Sequence, residues 1–105
     1  MKLREIYSGS KTVISFEVFP PKSDIDKLLQ EIKILEKHNP AFISLTYGAG
    51  GSENKSFDLL KQIKNTGVNV MPHFTCISSS KESIEADMKK LGDIGIENIL
   101  ALRGD

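Results

Sequence analysis

The feature that most constrains the fold is a regular spacing of β-rich segments along the 105 residues. Four runs are enriched in β-branched and aromatic residues, which is typical of strands, and their centres are 29, 28 and 28 residues apart. Pro72 interrupts the third run, and because proline lacks a backbone donor we expect it at a bulge or an irregular strand end. The predicted strands are 12–19, 41–47, 69–77 and 98–102.

Helical patterns fill the intervals between these runs. Apolar residues recur at spacings of three and four, which predicts amphipathic helices at about 24–38, 53–66 and 80–94. Ser23 or Asp24 is the expected N-cap of the first helix. Ser79 and Glu82 match a capping box at the start of the third. The predicted order is therefore β-α-β-α-β-α-β, which favours a parallel sheet with right-handed crossovers.

Two α/β architectures fit this alternation: an open doubly wound sheet, or part of a (β/α)8 barrel. A complete barrel needs roughly 200–250 residues, so four parallel βα repeats would form half of one. The sequence stops at Asp105, directly after the fourth strand. We therefore expect residues 1–105 to be the N-terminal part of a single barrel domain, truncated after that strand. The two open sheet edges of such a piece favour self-association or marginal stability.

Composition narrows the class of protein. Hydrophobic residues make up 39% of the chain, and 14 basic residues balance 14 acidic ones, which excludes intrinsic disorder and argues against a nucleic-acid partner. The single cysteine excludes an internal disulfide framework and a cysteine zinc cage. No apolar run approaches the ~20 residues of a membrane span, and the N-terminus lacks a secretory pattern. A cytoplasmic protein without a membrane partner is expected.

Polar residues stand at the carboxyl end of every predicted strand. In parallel α/β sheets, ligands bind at this end of the strands. We therefore expect these side chains to converge on one rim of the sheet and to form the functional site. They are Glu17 on the first strand, Thr46 and Tyr47 on the second, His73 and Thr75 on the third, and Arg103, Gly104 and Asp105 after the fourth.

Glu17 is the sharpest single feature, because it interrupts an apolar strand between Phe16 and Val18. A carboxylate in apolar surroundings is costly to ionise, which predicts a raised pKa and suits a general acid that works near neutral pH. The alternative is a glutamate of the barrel interior that pairs with arginine or lysine. The sequence pattern leaves both interpretations open.

Two further features also allow more than one interpretation. The glycine-rich segment 47–52 lets backbone approach a ligand closely, but it matches neither the dinucleotide nor the P-loop fingerprint and is also consistent with a tight turn. His73 has no second histidine, cysteine or aspartate at metal-ligand spacing, so no metal site is predicted. It could instead pack against a bound cofactor or hydrogen-bond to it.

Four blocks of the sequence occur together in a specific order. They are SFEVFPPK (15–22), ISLTYGAGGS (43–52), PHFTCI (72–77) and ENILALRGD (97–105). In their order and spacing they resemble the methylenetetrahydrofolate reductases, and the resemblance covers nearly the whole chain. It implies an FAD-containing (β/α)8 barrel, of which this chain is the N-terminal portion, and a homo-oligomer at full length.

The family reaction reduces 5,10-methylenetetrahydrofolate to 5-methyltetrahydrofolate, with FAD relaying a hydride from NADH or NADPH. The resemblance implies that Glu17 is the general acid that opens the five-membered ring of the folate, and that Asp105 binds the pterin beside the flavin. An alternative is a catalytically incomplete flavin- or pterin-binding fragment, and a folate-dependent methyltransferase is disfavoured because it needs no such acid. The cofactor contacts implied are Thr46, Tyr47, Ala49, His73, Arg103, Gly104 and Asp105.

Overall fold

Four parallel strands alternate with helices along the chain. The structure, a computed structural model, describes residues 1–21, 23–46, 57–77 and 79–104. Within these ranges, no helix combines the length and the apolar character that a membrane crossing requires. The elements are α1 Leu3–Tyr7, β1 Ser15–Val18, α2 Ile25–Glu36, β2 Phe42–Leu45, α3 Phe57–Asn65, β3 Val70–Thr75, α4 Lys81–Ile94 and β4 Leu100–Leu102.

The strand order decides between the two predicted architectures. The sheet runs β1-β2-β3-β4, with every neighbouring pair parallel. A doubly wound sheet reverses its strand order at a switch point, whereas a barrel adds each strand beside the previous one. The sequential order therefore confirms the predicted α/β fold of parallel βα repeats and is that of half a (β/α)8 barrel.

The sheet has two chemically different faces, because successive side chains of a strand point in opposite directions. On one face, Ile43, Leu45 and Val70 are almost fully buried and join the core with α2, α3 and α4. The opposite face would become the interior of a closed barrel, and we call it the barrel-side face. Its residues in the first three strands are Ser15, Glu17, Phe42, Ser44, Met71, His73 and Thr75.

The helix starts confirm one predicted cap and correct another. Asp24 caps α2 by accepting a hydrogen bond from the backbone N–H of Lys27 at 3.0 Å. The predicted box of Ser79 and Glu82 is wrong by one residue. Ser80 caps α4 instead, exchanging two hydrogen bonds of 3.0 and 3.1 Å with Ser83. Ser79 and Ser80 both carry a hydroxyl that can cap the helix, and in the structure Ser80 is the cap. The start predicted for the middle helix, at 53, lies outside the described residues.

Pro72 does not lie at a strand end, so this part of the prediction is wrong. It sits inside β3, in register with Leu45, and is fully buried. The registered pairing with β2 covers the first half of β3 and ends at Pro72, whereas the pairing with β4 begins at His73. The missing backbone donor therefore falls where the strand passes from one neighbour to the other, and this limits the loss of ladder hydrogen bonds.

The N-terminal segment contains an element that the sequence analysis did not predict, the five-residue helix α1. Two asparagines tie it to the amino-terminal ends of two strands. Asn69 directly precedes β3, and Asn98 lies two residues before β4. Asn98 accepts a hydrogen bond from the Leu3 N–H at 2.8 Å and donates one to the Met1 carbonyl at 2.9 Å. Asn69 donates to the same carbonyl at 2.8 Å. The segment thus crosses the end of the sheet opposite to the predicted site.

Candidate functional site

Three of the predicted site residues meet at a single carboxylate oxygen. Glu17 lies in β1, Thr46 directly follows β2, and His73 lies in β3. The Thr46 hydroxyl donates a hydrogen bond of 2.6 Å to Glu17 Oε1. His73 Nε2 lies 3.2 Å from the same oxygen. The structure therefore brings together side chains from three successive strands, and we call these three residues the carboxylate cluster.

Parallel register explains how the cluster assembles. Glu17 is in register with Ser44, and Ser44 is in register with Met71. Thr46 and His73 each lie two residues further along their strands, so their side chains emerge on the same face, one step closer to the carboxyl ends. The Thr46 N–H also donates to the Val18 carbonyl at 3.0 Å, which fixes the backbone beside β1.

The surroundings of Glu17 differ from those the sequence suggested. Its neighbours Phe16 and Val18 pack towards the core, whereas its own side chain points to the barrel-side face and is 49% exposed. The expectation of apolar surroundings, and the argument from desolvation, are therefore wrong for the described chain. Strand alternation places sequence neighbours on opposite faces, so a residue's immediate sequence context does not report its environment.

The cluster combines an accessible acid with a buried base. The His73 side chain is only 9% exposed, and among the described residues the ion-pair contact of Glu17 is with this histidine rather than with an arginine or lysine. Both contacts fall on Oε1. Within the described chain no partner is recorded for Oε2. The arrangement therefore orients a carboxyl group through one oxygen, in a side chain that is half exposed and that a ligand can reach.

The segment that follows β4 runs along the end of β3. The carbonyl of Arg103 accepts a hydrogen bond from the Ile77 N–H at 2.9 Å. Gly104 has a φ of +94°, and a Cβ at this position would lie 2.8 Å from Ile77 Cγ2. Both residues therefore sit beside the carboxyl end of β3, as predicted from their place in the sequence. Within the described ranges, no hydrogen bond or ion pair joins them to Glu17.

Three predicted site residues, Tyr47, Ala49 and Asp105, lie outside the described residues, and their roles stay predictions. The structure also adds a residue that the sequence analysis missed. Ser44 faces the barrel side, is 8% exposed, and has no hydrogen-bond partner recorded among the described residues. A serine inside the apolar run 41–47 was the available signal.

Sequential parallel strands and a polar cluster at their carboxyl ends define an α/β protein of the barrel type, with its site where barrel enzymes bind their ligands. The family model described as methylenetetrahydrofolate reductase matches residues 2–105. The chain belongs to the methylenetetrahydrofolate reductase family.

Individual relatives agree with this assignment. The chain is 38% identical over 111 residues to a probable methylenetetrahydrofolate reductase (NADH) of Oryza sativa subsp. japonica, covering 99% of the chain and 18% of the relative. It is 41% identical over 96 residues to the 5,10-methylenetetrahydrofolate reductase of Pectobacterium carotovorum subsp. carotovorum, and 38% identical to that of Escherichia coli (strain K12). Both alignments cover 88% of the chain and 32% of the relative. The chain thus spans a third or less of these relatives' length.

Proposed function

We propose that the protein reduces 5,10-methylenetetrahydrofolate to 5-methyltetrahydrofolate with NADH or NADPH as the hydride source. In this proposal, the chain contributes the general acid and part of the flavin and folate site. The observation that carries the proposal is the accessible Glu17 carboxyl, held at the carboxyl ends of the strands by Thr46 and His73. Family membership supplies the reaction, and the geometry supports the choice of the acid.

Glu17 would act on the five-membered ring of the folate. Its proton would pass to the bridging nitrogen that leaves, and the bond between that nitrogen and the methylene carbon would break. The other nitrogen then carries the positive charge as an iminium, and Glu17 is left as a carboxylate. We assign the transfer to Oε2, because both described contacts occupy Oε1. A positioned proton donor contributes on the order of 10²–10⁴-fold in rate.

The described residues fit a flavin. The barrel-side face offers a buried imidazole at His73, and the Ser44 hydroxyl has no recorded partner among the described residues although it is buried. Buried polar groups normally have a hydrogen-bond partner, and a polar ligand on this face would supply one. Bound FAD would relay the hydride from the nicotinamide to the folate. The proposed contacts are Thr46, Tyr47, Ala49, His73, Arg103 and Gly104, with Asp105 holding the pterin.

The two half-reactions of the complete protein test this proposal. The purified protein should show the visible absorbance of a flavin, and NADH or NADPH should bleach it in the absence of oxygen. Methylenetetrahydrofolate should then restore the absorbance, with 5-methyltetrahydrofolate as the product. A protein without flavin absorbance, or a reduced protein that the folate does not reoxidise, would contradict the proposal.

A further inference from the structure

The contact between Glu17 and His73 joins two strands that are not neighbours. β2 lies between β1 and β3. Adjacent strands are separated by about 4.8 Å, so the backbones of β1 and β3 are roughly 10 Å apart. Glu17 Oε1 nevertheless lies 3.2 Å from His73 Nε2. The two side chains must therefore extend towards each other over the surface of β2.

Few side chains of β2 point to the barrel-side face. Ser44 is in register with Glu17 on one side and with Met71 on the other. The next residue on this face is Thr46, which is itself a partner of Glu17. The flanking Ile43 and Leu45 belong to the core on the other face. Ser44 is therefore the side chain beneath the path that joins the carboxylate to the imidazole.

Hydrogen bonding within the described chain does not account for a serine at this position. Its hydroxyl has no recorded partner there, although the residue is more than nine-tenths buried, and the rest of β2 is apolar. The contact between Glu17 and His73 depends instead on the small size of the Ser44 side chain. We infer that Ser44 is a positioning residue, whose short side chain keeps open the passage across β2 through which Glu17 reaches His73.

This inference deepens the proposed function, because Glu17 is the proposed acid. The substitutions Ser44→Ala, Ser44→Thr and Ser44→Val form a series of increasing bulk at one position. Ser15→Val is the matched control. Ser15 lies on the same face, two residues before Glu17 in β1, and is in register with Phe42. It therefore lies outside the path from Glu17 to β3.

The first measurement detects the contact between Glu17 and His73 by NMR and does not depend on catalysis. In the complete protein, the ring nitrogen signals of His73 are recorded by NMR and assigned with a His73→Gln variant. We expect Glu17→Gln to perturb these signals when residue 44 is serine or alanine, and to perturb them about threefold less when it is valine, because the two side chains are then uncoupled. Equal perturbation in all backgrounds would overturn the inference.

The second measurement reads catalysis. Ser44→Val should slow reoxidation by methylenetetrahydrofolate on the order of 100-fold, since a displacement of about 1 Å costs that much. Ser44→Ala should lose much less of the rate than Ser44→Val, and Ser15→Val should stay close to the wild-type rate. If Ser44→Val does not fold, both measurements are made on Ser44→Thr. We then expect a smaller effect in the same direction. Equal loss in Ser44→Ala and Ser44→Val would overturn the role of size.

The two measurements separate this inference from the proposed function. Loss of the His73 perturbation in Ser44→Val, together with an unchanged folate rate, would confirm the passage and contradict a need for the Glu17–His73 contact in folate reduction. An intact perturbation in Ser44→Val would contradict the passage whatever the folate rate. The NMR result is decisive even for a protein that does not reduce the folate.

Discussion

The Thr46 hydroxyl and the Glu17 carboxylate, 29 residues apart in sequence, are joined by a hydrogen bond of 2.6 Å. This length lies at the short end of the range for O–H···O hydrogen bonds. The bond fixes the orientation of the carboxyl group across the first two strands, and His73 adds a second contact to the same oxygen. Pre-orientation of this kind is what a proton donor needs before its substrate arrives.

Glu17→Gln is expected to abolish reduction of the folate, with a loss on the order of 10²–10⁴-fold, because the amide keeps the shape of the side chain but donates no acidic proton. Bleaching of the flavin by the nicotinamide should persist, since it does not require this proton. The two half-reactions are measured separately in the complete protein, with Glu85→Gln on the exposed face of α4 as control. An equal fall of both half-reactions would make Glu17 a structural residue.

Thr46→Val should slow folate reduction by up to about tenfold, because a hydrogen bond contributes roughly 0.5–1.5 kcal/mol and valine matches the shape of threonine without its hydroxyl. Thr46→Ser keeps the hydroxyl and should restore most of the rate. The measurement is the rate of reoxidation by the folate in both variants. Equal losses in the two variants would show that the hydroxyl does not position Glu17.

Gly104→Ala is expected to destabilise the protein by about 1–3 kcal/mol. Its φ of +94° is unfavourable for a residue with a Cβ, and that Cβ would lie 2.8 Å from Ile77 Cγ2. Gly92→Ala is the matched control, since its Cβ meets nothing within 4 Å and alanine in a helix stabilises by up to about 1 kcal/mol. Free energies of unfolding in urea check both, and destabilisation of the same size at both positions would contradict the expectation.

Asn98→Ala should release the N-terminal segment and lower the free energy of unfolding by about 0.5–1.5 kcal/mol, because the Leu3 N–H loses its acceptor, while the Met1 carbonyl keeps its hydrogen bond from Asn69. Asn98→Asp keeps an acceptor for the Leu3 N–H and loses only the donor to Met1, so a smaller loss is expected. Urea unfolding gives the free energies, and amide exchange reports the opening of α1. Unchanged exchange in Asn98→Ala would refute this role.

Glu97 gives the chain an acid-sensitive contact. Met1 donates a hydrogen bond of 3.1 Å to its carboxylate, and that bond, with the positive charge of the N-terminal ammonium, lowers the pKa of Glu97 below its ordinary value of 4.5. A lowered pKa in the folded state means that the stabilisation is complete above pH 4.5 and is lost as pH falls through the folded pKa.

The corresponding experiment compares the wild type with Glu97→Gln. The wild type should be slightly more stable at neutral pH, and the difference should shrink as pH falls below about 4.5. Added salt should weaken the effect, because the pair is exposed to solvent. Melting temperatures across pH and salt concentration measure it. A difference that grows on acidification would contradict the assignment.

Much of the fold follows from local patterns in the sequence. Apolar periodicity predicts which side of each element is buried, and with the spacing of 28 or 29 residues it predicts the parallel βα order. The same alternation predicts that Glu17, Thr46 and His73 stand at one end of the sheet. Local rules fail where two neighbouring residues satisfy them equally, as for Ser79 and Ser80 at the start of α4.

What the sequence by itself determined is the class of fold and the set of residues at the carboxyl ends of the strands. Only the tertiary structure decided that Glu17 crosses β2 to meet His73, that its side chain is half exposed, and that Ser44 lies beneath the contact. Register and contacts across strands join residues far apart in the chain. Local propensity carries no information about such pairs, because their energies arise only when the strands are packed side by side.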